Sequence, residues 1–424
     1  MLAKQILVVG LVIPFIEFFC YVAVSRATCR MNPLIRRRLR LAYGLLSLLI
    51  LLSMVAFPIW ASTQWPSAFI RVMVNSGVGL FFGKVVVALV QFAGSIFIML
   101  MRFSGFLAHA TKLKNPAPVM SHAGNSPGIT RSQFISRSAL VLGGIVTAGL
   151  GYGMTNKYRY RIRQIQVKLH NLPQALKGMR IVQLSDIHAG GLFDKEAIAA
   201  GIDMVEELKA DLVLFTGDLV NYRAAEVEPF LDIFGRLQAP LGVYSVLGNH
   251  DYGDYLTWPS EAEKQADFQE LLNFQRQMGW QVLRNEHRIL SFNNCSFALI
   301  GAENWSTHHR FHKYGNLQKA MEGLDATELP LQILMSHDPS HWDAEVRPSY
   351  PGIGLTLSGH THGMQLGINT PMVKWSPSQY LYKQWAGLYT TGYQHLYVNT
   401  GFGSIGYDGR LGILPEITVV ELVS

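Results

Sequence analysis

The chain of 424 residues exceeds the usual size of one domain, so we expect more than one unit. Apolar residues make up 49% of it and charged residues 15%, and the apolar excess lies in the first 155 residues. The net charge of +7 is concentrated beside these apolar segments, which is typical of membrane topology signals and argues against a nucleic-acid-binding protein. Three cysteines are too few for a disulfide framework.

Four apolar segments come first along the chain. Residues 5–25, 41–61 and 78–101 are long enough to cross a bilayer as helices, and residues 139–154 form a shorter, glycine-rich fourth segment. Two ionisable residues, Glu17 and Lys84, lie inside the first and third segments, which makes them candidates for a transport or relay role. The alternative is that Lys84 extends to the membrane surface and Glu17 faces a neighbouring helix.

Basic residues between these segments predict the orientation of the chain. The loop between the first two segments carries six arginines and no acid, so we expect it to be cytoplasmic. Residues 103–136 are also basic and contain Pro- and Gly-rich pieces, which are typical of a linker. We expect the fourth segment to cross, which places the rest of the chain outside the cytoplasm. Basic residues within 157–168 favour the alternative that it does not cross, but they alternate with apolar residues as in a strand.

After the membrane region of residues 1–155, residues 156–424 are predicted to form one α/β domain. Asp194 and Ser260 have the residue type and position of helix N-caps. Five short apolar runs in this domain predict buried strands. Each run ends in a side chain that can bind a metal, and open α/β sheets carry their chemistry at the carboxyl ends of strands.

These five strand ends supply closely spaced polar motifs. The run 211–215 leads into Asp218, and the others lead into Asp-x-His at 186–188, Asn-His-Asp at 249–251, Ser-His-Asp at 336–338 and His-x-His at 360–362. Residues two apart on an extended chain point the same way, so each Asp-x-His or His-x-His pair can bind one ion.

The motifs contain oxygen and imidazole ligands without thiolates, which favours Mn²⁺, Fe or Zn²⁺ over a structural sulfur site. Seven such groups are more than one ion needs, so we predict two divalent metal ions that share one carboxylate. A water molecule held between two such ions would be hydroxide near neutral pH. The seven candidate ligands are Asp186, His188, Asp218, Asn249, His337, His360 and His362.

The order of these motifs resembles the calcineurin-like metallophosphoesterase family. The resemblance covers residues 178–422 and is greatest to the bacterial membrane-anchored phosphodiesterases, through Gly-His-Thr-His-Gly-x-Gln at 359–365, Gly-x-Gly at 401–403 and Pro-Glu-Ile-Thr at 415–418. It implies a four-layer α-β-β-α sandwich preceded by transmembrane helices. It also implies a multi-pass protein of the bacterial inner membrane, in which the expected crossing of the fourth segment places the catalytic domain on the periplasmic side.

The resemblance also implies a role for each residue of the motifs. One ion would be bound by Asp186, His188 and His362, the other by Asn249, His337 and His360, with Asp218 bridging both. His250 would be catalytic, because it would face the substrate and stabilise or protonate the leaving oxygen.

Two positions depart from the family pattern. Several relatives have an Asp three residues past the bridging carboxylate, where it orients the catalytic histidine, and this chain has Asn221. That orienting role is therefore open, with Asp251 as a candidate. The usual Gly-Gly-Gln is Gly-Met-Gln at 363–365, which affects the predicted substrate contacts.

Three further groups have open interpretations. Arg410 is a candidate substrate-binding residue, since guanidinium donors match phosphate geometry, or it belongs to a surface salt bridge. His308, His309 and His312 follow one another on a predicted loop that is either solvated, substrate-facing or an additional metal site. The aromatic residues of segment 375–389 either border a membrane-facing lip for a lipid substrate or belong to the core.

These observations predict a membrane-anchored, binuclear metal-dependent phosphohydrolase that acts on a phosphodiester or pyrophosphate near the membrane. We expect a phosphorylated small molecule or a lipid as its substrate, and no nucleic-acid partner. The alternatives are a nucleotide phosphodiesterase, a phosphoprotein phosphatase, a non-catalytic membrane-tethered binding module, or a channel or transporter that the domain regulates.

Overall fold

The computed structural model describes residues 2–61, 68–112, 129–325, 329–370 and 372–424. They divide into two compact units, Met1–Tyr152 and Gly153–Ser424. The first unit is helical in its described residues. Its helices are α1 (Leu2–Ala27), α2 (Pro33–Ala61), α3 (Ala68–Lys112) and α4 (Arg131–Met154).

Three stretches of these helices are long and apolar enough to cross a membrane, namely Gly10–Ala27, Ser76–Leu107 and Arg131–Met154. The second predicted span, 41–61, lies in α2, but its side chains from residue 53 onward fall outside the described part of the chain. The predicted linker 103–136 is helical at both ends, because α3 continues to Lys112 and α4 begins at Arg131.

An ion pair connects the helices of the first unit. The ammonium of Lys84 donates to the Glu17 carboxylate and, at 2.6 Å, to Oγ of Ser47. The Tyr43 hydroxyl also donates to the Glu17 carboxylate. Lys84 is buried, which contradicts the alternative that its side chain extends to the membrane surface. The four residues instead join α1, α2 and α3 through one polar cluster.

The second unit is an α/β domain. Its strands are β1 (Arg161–Lys168), β2 (Arg180–Leu184), β3 (Leu212–Phe215), β4 (Val243–Ser245), β5 (Trp280–Val282), β6 (Glu286–Phe292), β7 (Cys295–Ala302), β8 (Gln332–Ser336), β9 (Leu355–Ser358), β10 (Ile368–Asn369), β11 (Lys374–Trp375), β12 (Gly387–Thr391), β13 (Gln394–Val398) and β14 (Glu416–Val423). Its helices are α5 (Lys195–Glu207), α6 (Leu231–Phe234), α7 (Glu261–Gln277), α8 (Leu317–Ala320) and α9 (Arg347–Ser349).

The two predicted N-caps are confirmed. The carboxylate of Asp194 accepts the main-chain N–H of Ala197 at 3.0 Å at the start of α5. The hydroxyl of Ser260 accepts the N–H of Glu263 at 3.2 Å at the start of α7. Each bond satisfies a donor that the first turn of a helix leaves free, which stabilises the helix by about 1 kcal/mol.

Twelve of the strands form two six-stranded sheets, ordered β1-β14-β2-β3-β4-β5 and β12-β13-β9-β8-β7-β6. Strands β2 to β5 run parallel in the first sheet, and β7, β8, β9 and β13 run parallel in the second. The carboxyl ends of the parallel strands in each sheet therefore lie at one edge. The strands β10 and β11 form a separate two-stranded ribbon.

Alternating side chains produce four layers. On β2, Ile181 lies in the core between the sheets, whereas Val182 packs on the opposite face with Ile202 of α5. On β8, Ile333 lies between the sheets, whereas Leu334 lies on the outer face and packs in one cluster with side chains of α8. The predicted four-layer α-β-β-α sandwich is confirmed, and each fully buried aliphatic side chain contributes roughly 1.5 to 3 kcal/mol to its stability.

Candidate metal centre

The seven predicted ligands lie together where β2, β3, β4, β8 and β9 end. Asn249, which follows β4, lines the same cavity as Asp218, His188 and His362. The other six provide two groups of donor atoms, and within each group the atoms are no more than 4.8 Å apart. These groups are Asp186, His188 and His362, and Asp218, His337 and His360.

Asp218 belongs to the second group and also lies close to the first. Its Oδ2 is 3.1 Å from Nε2 of His337, in one group, and 3.6 Å from Nε2 of His188, in the other. Its Oδ1 accepts the main-chain N–H of His250 at 2.9 Å. One carboxylate oxygen thus lies close to donors of both groups, which is the position that a carboxylate shared by two ions requires.

The loops that carry these residues have an unusual main chain. Five of the candidate ligands adopt positive φ, a conformation that costs a non-glycine residue of order 1 kcal/mol or more. The cost is offset locally, since the N–H of His360 donates to both carboxylate oxygens of Asp186 at 3.0 Å. The five are Asp186 (52°), His188 (49°), Asp218 (61°), His360 (69°) and His362 (50°).

Asn249 carries an unsatisfied oxygen at the centre. Its amide nitrogen donates to the hydroxyl of Tyr255 at 2.8 Å, which fixes the amide plane. Its Oδ1 is buried and has no hydrogen-bond partner among the described residues. A buried acceptor left without a partner costs about 1 to 3 kcal/mol, and a bound divalent ion would supply that partner. The donor set therefore fits a metal site.

The protonation states follow from burial and charge. Burial lowers the pKa of three imidazoles, which favours their neutral, metal-binding form. These are His188, His360 and His362. His337 differs, because burial opposes its charged form but the Asp218 and Asp186 carboxylates and the Thr216 carbonyl together raise the pKa of His337 to about 10. Burial opposes ionisation of Asp218, but the surrounding histidines hold its pKa well below the usual range. A cation bound beside Asp218 would displace the proton of His337.

His250 lines the cavity next to these groups. Its Nδ1 lies 2.7 Å from the main-chain carbonyl oxygen of Asn221, so Nδ1 carries a proton and donates it to that oxygen. Nε2 is then the ring atom available for a substrate. The ring also contacts His188, with ring centroids 5.0 Å apart.

Asp251 does not orient His250, and that prediction is wrong. Its carboxylate is buried and accepts main-chain N–H groups at 2.8 to 3.3 Å, so it fixes the loop that carries Asp218. The donors are Asp218, Leu219, Val220 and Gly248.

The structure also contradicts the prediction that Arg410 binds substrate. Its side chain is fully buried and donates to the carbonyl of Thr400 at 2.6 Å and to those of Gly401 and Gly403 at 3.1 Å. Its Nη2 lies 3.2 Å from Nδ1 of His362. A side chain without exposed surface cannot bind an entering phosphate, nor form a surface salt bridge. Arg410 instead positions the loop that follows β13 against His362.

The cavity above the metal centre has a volume of about 330 Å³. His308 of the predicted loop lines this cavity, and its substrate-facing role stays a prediction. Arg310 and Phe311 of this loop line the cavity too, while His309 and His312 are absent from its described lining. Arg310 was not among the site residues predicted from the sequence, although it lies between two histidines of the loop.

The residues of the aromatic segment differ in burial, which supports the core interpretation for one of them and leaves the membrane-facing interpretation a prediction. Trp385 is buried in a small core cluster, whereas Trp375 and Tyr380 are exposed. Tyr382 lines the cavity, and its hydroxyl lies 2.7 Å from Nε2 of His360. This contact leaves Nδ1 of His360 facing His337 at 3.2 Å.

Comparison with known proteins agrees with this site. Residues 179–364 match the calcineurin-like phosphoesterase family, and residues 3–157 match the family described as a probable calcineurin-like phosphoesterase, transmembrane domain. The chain is 30% identical over 304 residues to the uncharacterized metallophosphoesterase YkuE of Bacillus subtilis, covering 70% of this chain and 98% of YkuE.

The chain is also similar to two other named relatives. The transmembrane protein with metallophosphoesterase domain of Danio rerio is 30% identical, over 66% of this chain and 62% of that protein. Phosphodiesterase YaeI of Escherichia coli is 29% identical, over 58% of this chain and 82% of that protein. The chain thus belongs to the calcineurin-like metallophosphoesterases, as a membrane protein that hydrolyses phosphoric esters and carries an amino-terminal transmembrane domain.

Proposed function

We propose that the protein is a binuclear metal-dependent phosphohydrolase that cleaves a phosphodiester or pyrophosphate bond in a membrane-proximal substrate. The observation that carries this proposal is the position of Asp218 Oδ2, within 3.6 Å of a histidine from each donor group. One ion would be bound by Asp186, His188 and His362 and the other by Asn249, His337 and His360, with Asp218 shared. Bound Mn, Fe or Zn ions supply the acidity that makes water a nucleophile near neutral pH.

The side chains around this centre account for the remaining requirements of phosphoryl transfer. His250 keeps a proton on Nδ1 through Asn221 and presents Nε2 to the cavity, where it can protonate the leaving oxygen. Arg310 also lines the cavity and has donors suited to phosphoryl oxygens. Tyr255 and Tyr382 orient Asn249 and His360 respectively, as partners of metal-ligating groups generally do.

We further propose that residues 1–155 form the membrane region and residues 156–424 the catalytic domain, which lies on the periplasmic side of a bacterial inner membrane. The arginine-rich loop between α1 and α2 and the candidate span in α4 support this orientation. Reporters fused after Ser424 test it. Alkaline phosphatase, active outside the cytoplasm, should be active, whereas activity of a cytoplasmic reporter alone would contradict the orientation.

The catalytic proposal is tested on the full chain in detergent, stripped of metal and reloaded with Mn²⁺. Hydrolysis of bis(p-nitrophenyl) phosphate and p-nitrophenyl phosphate is compared with Asp218→Asn, His250→Ala and the control Asp203→Asn on the exposed face of α5. We expect Asp218→Asn to lose both metal and activity, and His250→Ala to lose activity but keep two ions. Two bound ions without turnover of either ester would contradict the proposal and favour a binding module.

A further inference from the structure

An apolar surface projects beside the metal centre. It is formed by residues 368–370 and 372–381, here called the apolar lip, which contains the β10–β11 ribbon and the turn after it. Met372 is 93% exposed and Tyr380 is 74% exposed. The lip's exposed apolar side chains are Ile368, Met372, Val373, Trp375, Tyr380 and Leu381. Monomeric soluble surfaces rarely concentrate so many large apolar side chains without a binding role.

The apolar lip is a built feature of the fold. Ile368 and Trp375 pair across the ribbon, and Nε1 of Trp375 lies 3.5 Å from the Tyr380 hydroxyl, so these three side chains form one surface. The hydroxyl of Ser376 donates at 2.6 Å to the carbonyl of Gly363, the residue that follows the candidate ligand His362. The base of the lip is thereby fixed to the loop that carries the metal ligands.

The apolar surface continues into the cavity. Leu381 is 57% exposed and lines the cavity, and the next residue, Tyr382, contacts the candidate ligand His360. Met364 is also partly exposed and lines the cavity. An apolar chain lying along the lip would therefore have its polar end beside the metal centre. No comparable apolar approach would be needed for a small, fully water-soluble phosphoester.

The membrane anchor of the same chain indicates what contacts this surface. Its candidate spans tether the catalytic unit to a bilayer, and Trp and Tyr side chains such as Trp375 and Tyr380 favour the membrane–water interface. Lys383, which is 81% exposed although its ammonium lies 3.4 Å from the Asp343 carboxylate, adds a cation next to the lip that suits anionic headgroups. Resting on the proposed hydrolase function, we infer that the apolar lip inserts into the bilayer interface and that the substrate is a phosphoester whose apolar chain remains in the bilayer.

Insertion is measured on the full chain in proteoliposomes, independently of activity. In a background with Cys20, Cys29 and Cys295 replaced by Ser, Met372→Cys is labelled with an environment-sensitive nitrobenzoxadiazole fluorophore. Tyr393→Cys is the control, because Tyr393 is 68% exposed on the β12–β13 turn, at the end of β13 away from the metal centre. We expect lipids with a shallow doxyl group to quench the label at 372 at least about threefold more than at 393.

Equal quenching at the two positions, or equal access of aqueous iodide, would overturn the inference. Shielding of position 372 in native membranes but not in proteoliposomes of the purified chain would also overturn it, since a protein partner would then cover the lip. If no ester is hydrolysed, the proposed function fails while the quenching still decides whether the lip inserts.

The substrate class is measured with two esters that share a leaving group. Bis(p-nitrophenyl) phosphate is soluble in water, and p-nitrophenyl hexadecyl phosphate resides in the vesicle bilayer. We expect Met372→Ser combined with Val373→Ser to lower turnover of the hexadecyl ester at least about fivefold and to leave the soluble ester within about twofold. Equal effects on both esters, or none on either, would overturn the assignment of a bilayer-resident substrate.

Discussion

The Nδ1 atom of His250 lies 2.7 Å from the main-chain carbonyl oxygen of Asn221. The carbonyl can only accept, so it fixes both the orientation of the ring and the position of its proton. A side-chain carboxylate is not required for this purpose. The Asn221 side chain itself leaves Oδ1 buried without a partner among the described residues.

This relationship predicts a difference between two neighbouring variants. His250→Ala should lower kcat on bis(p-nitrophenyl) phosphate by about 10²- to 10⁴-fold, the usual contribution of a general acid, without loss of metal. Asn221→Ala is the matched control, because it keeps the carbonyl that accepts from Nδ1, and it should lower kcat by no more than about threefold. A comparable loss in both variants would show that the Asn221 side chain, rather than its carbonyl, supports catalysis.

Glu226 holds the same loop and predicts how stability depends on pH. Its carboxylate accepts the N–H of Asn221 at 2.6 Å and of Tyr222 at 3.1 Å, and burial raises the pKa of Glu226 to about 7. The unfolded chain releases this proton near the ordinary pKa of a glutamate, so between that pH and 7 the folded state holds more protons. Stability should therefore fall as the pH rises through this window, by at most a few kcal/mol.

The measurement is the thermal midpoint of unfolding from pH 5 to pH 8, on the full chain in detergent. Glu226→Gln should have a flatter profile than the unsubstituted chain. Glu228→Gln, on the exposed side of the next turn, should leave the profile unchanged. A Glu226→Gln profile as steep as the original would show that other groups cause the dependence.

The position of Asn249 predicts that one of the two ions can be lost while the other stays bound. Removal of its unpartnered Oδ1 in Asn249→Ala should reduce the bound metal from two ions per chain toward one, measured by elemental analysis after dialysis. Tyr255→Phe, which releases the amide nitrogen, should weaken metal binding about tenfold, as loss of an orienting partner usually does. Asn273→Ala on α7 is the control. Retention of two tightly bound ions in Asn249→Ala would exclude Asn249 from the ligand set.

Arg310 is predicted to bind the phosphoryl group. Arg310→Gln should raise KM for bis(p-nitrophenyl) phosphate about tenfold, because the amide keeps much of the size of the side chain but loses its charge and paired donors. Lys313→Gln is the control, since that ammonium lies over the Trp305 ring on the same loop and is absent from the described cavity lining. Unchanged kinetics in Arg310→Gln would exclude the contact.

The sequence could predict that the seven candidate ligands lie together because strand ends carry a local signal. A buried apolar run followed by Asp or His places the side chain at the sheet edge, and parallel strands bring such edges together without knowledge of the loops. The four layers could be predicted in the same way, through alternating side chains such as Ile181 and Val182.

The roles of Arg410, Asp251 and Arg310 could not be predicted from the sequence, because they depend on how loops fold. The sequence around a charged side chain does not reveal its burial. The side chain can be buried against main-chain carbonyls, as that of Arg410 is, or exposed in a cavity wall, as that of Arg310 is. The group that accepts the hydrogen bond from Nδ1 of His250 is a main-chain carbonyl. Such a contact does not depend on the residue type, so the sequence does not reveal it. Burial and main-chain contacts are tertiary properties, which local patterns do not determine.

The ion pair of Glu17 and Lys84 predicts energetic coupling between α1 and α3. The Lys84 ammonium donates to the Glu17 carboxylate and to Ser47 of α2, so removal of either charge leaves its partner uncompensated in an apolar bundle. Glu17→Gln and Lys84→Met should each destabilise the full chain in detergent, by about 3 kcal/mol or less in view of the 3 to 5 kcal/mol typical of soluble proteins. Tyr43→Phe should cost about 1 kcal/mol, because it removes one hydrogen bond and no charge.

The double variant decides whether the pair acts structurally. When both charges are replaced together, no uncompensated charge remains, so we expect the double variant to be more stable than at least one of the single variants. Thermal unfolding of the four proteins, followed by hydrolysis of bis(p-nitrophenyl) phosphate at equal folded fraction, measures both effects. Additive losses of stability would contradict coupling. Preserved stability with lost activity in the double variant would instead assign the pair the relay role, since charge rather than packing would then be required.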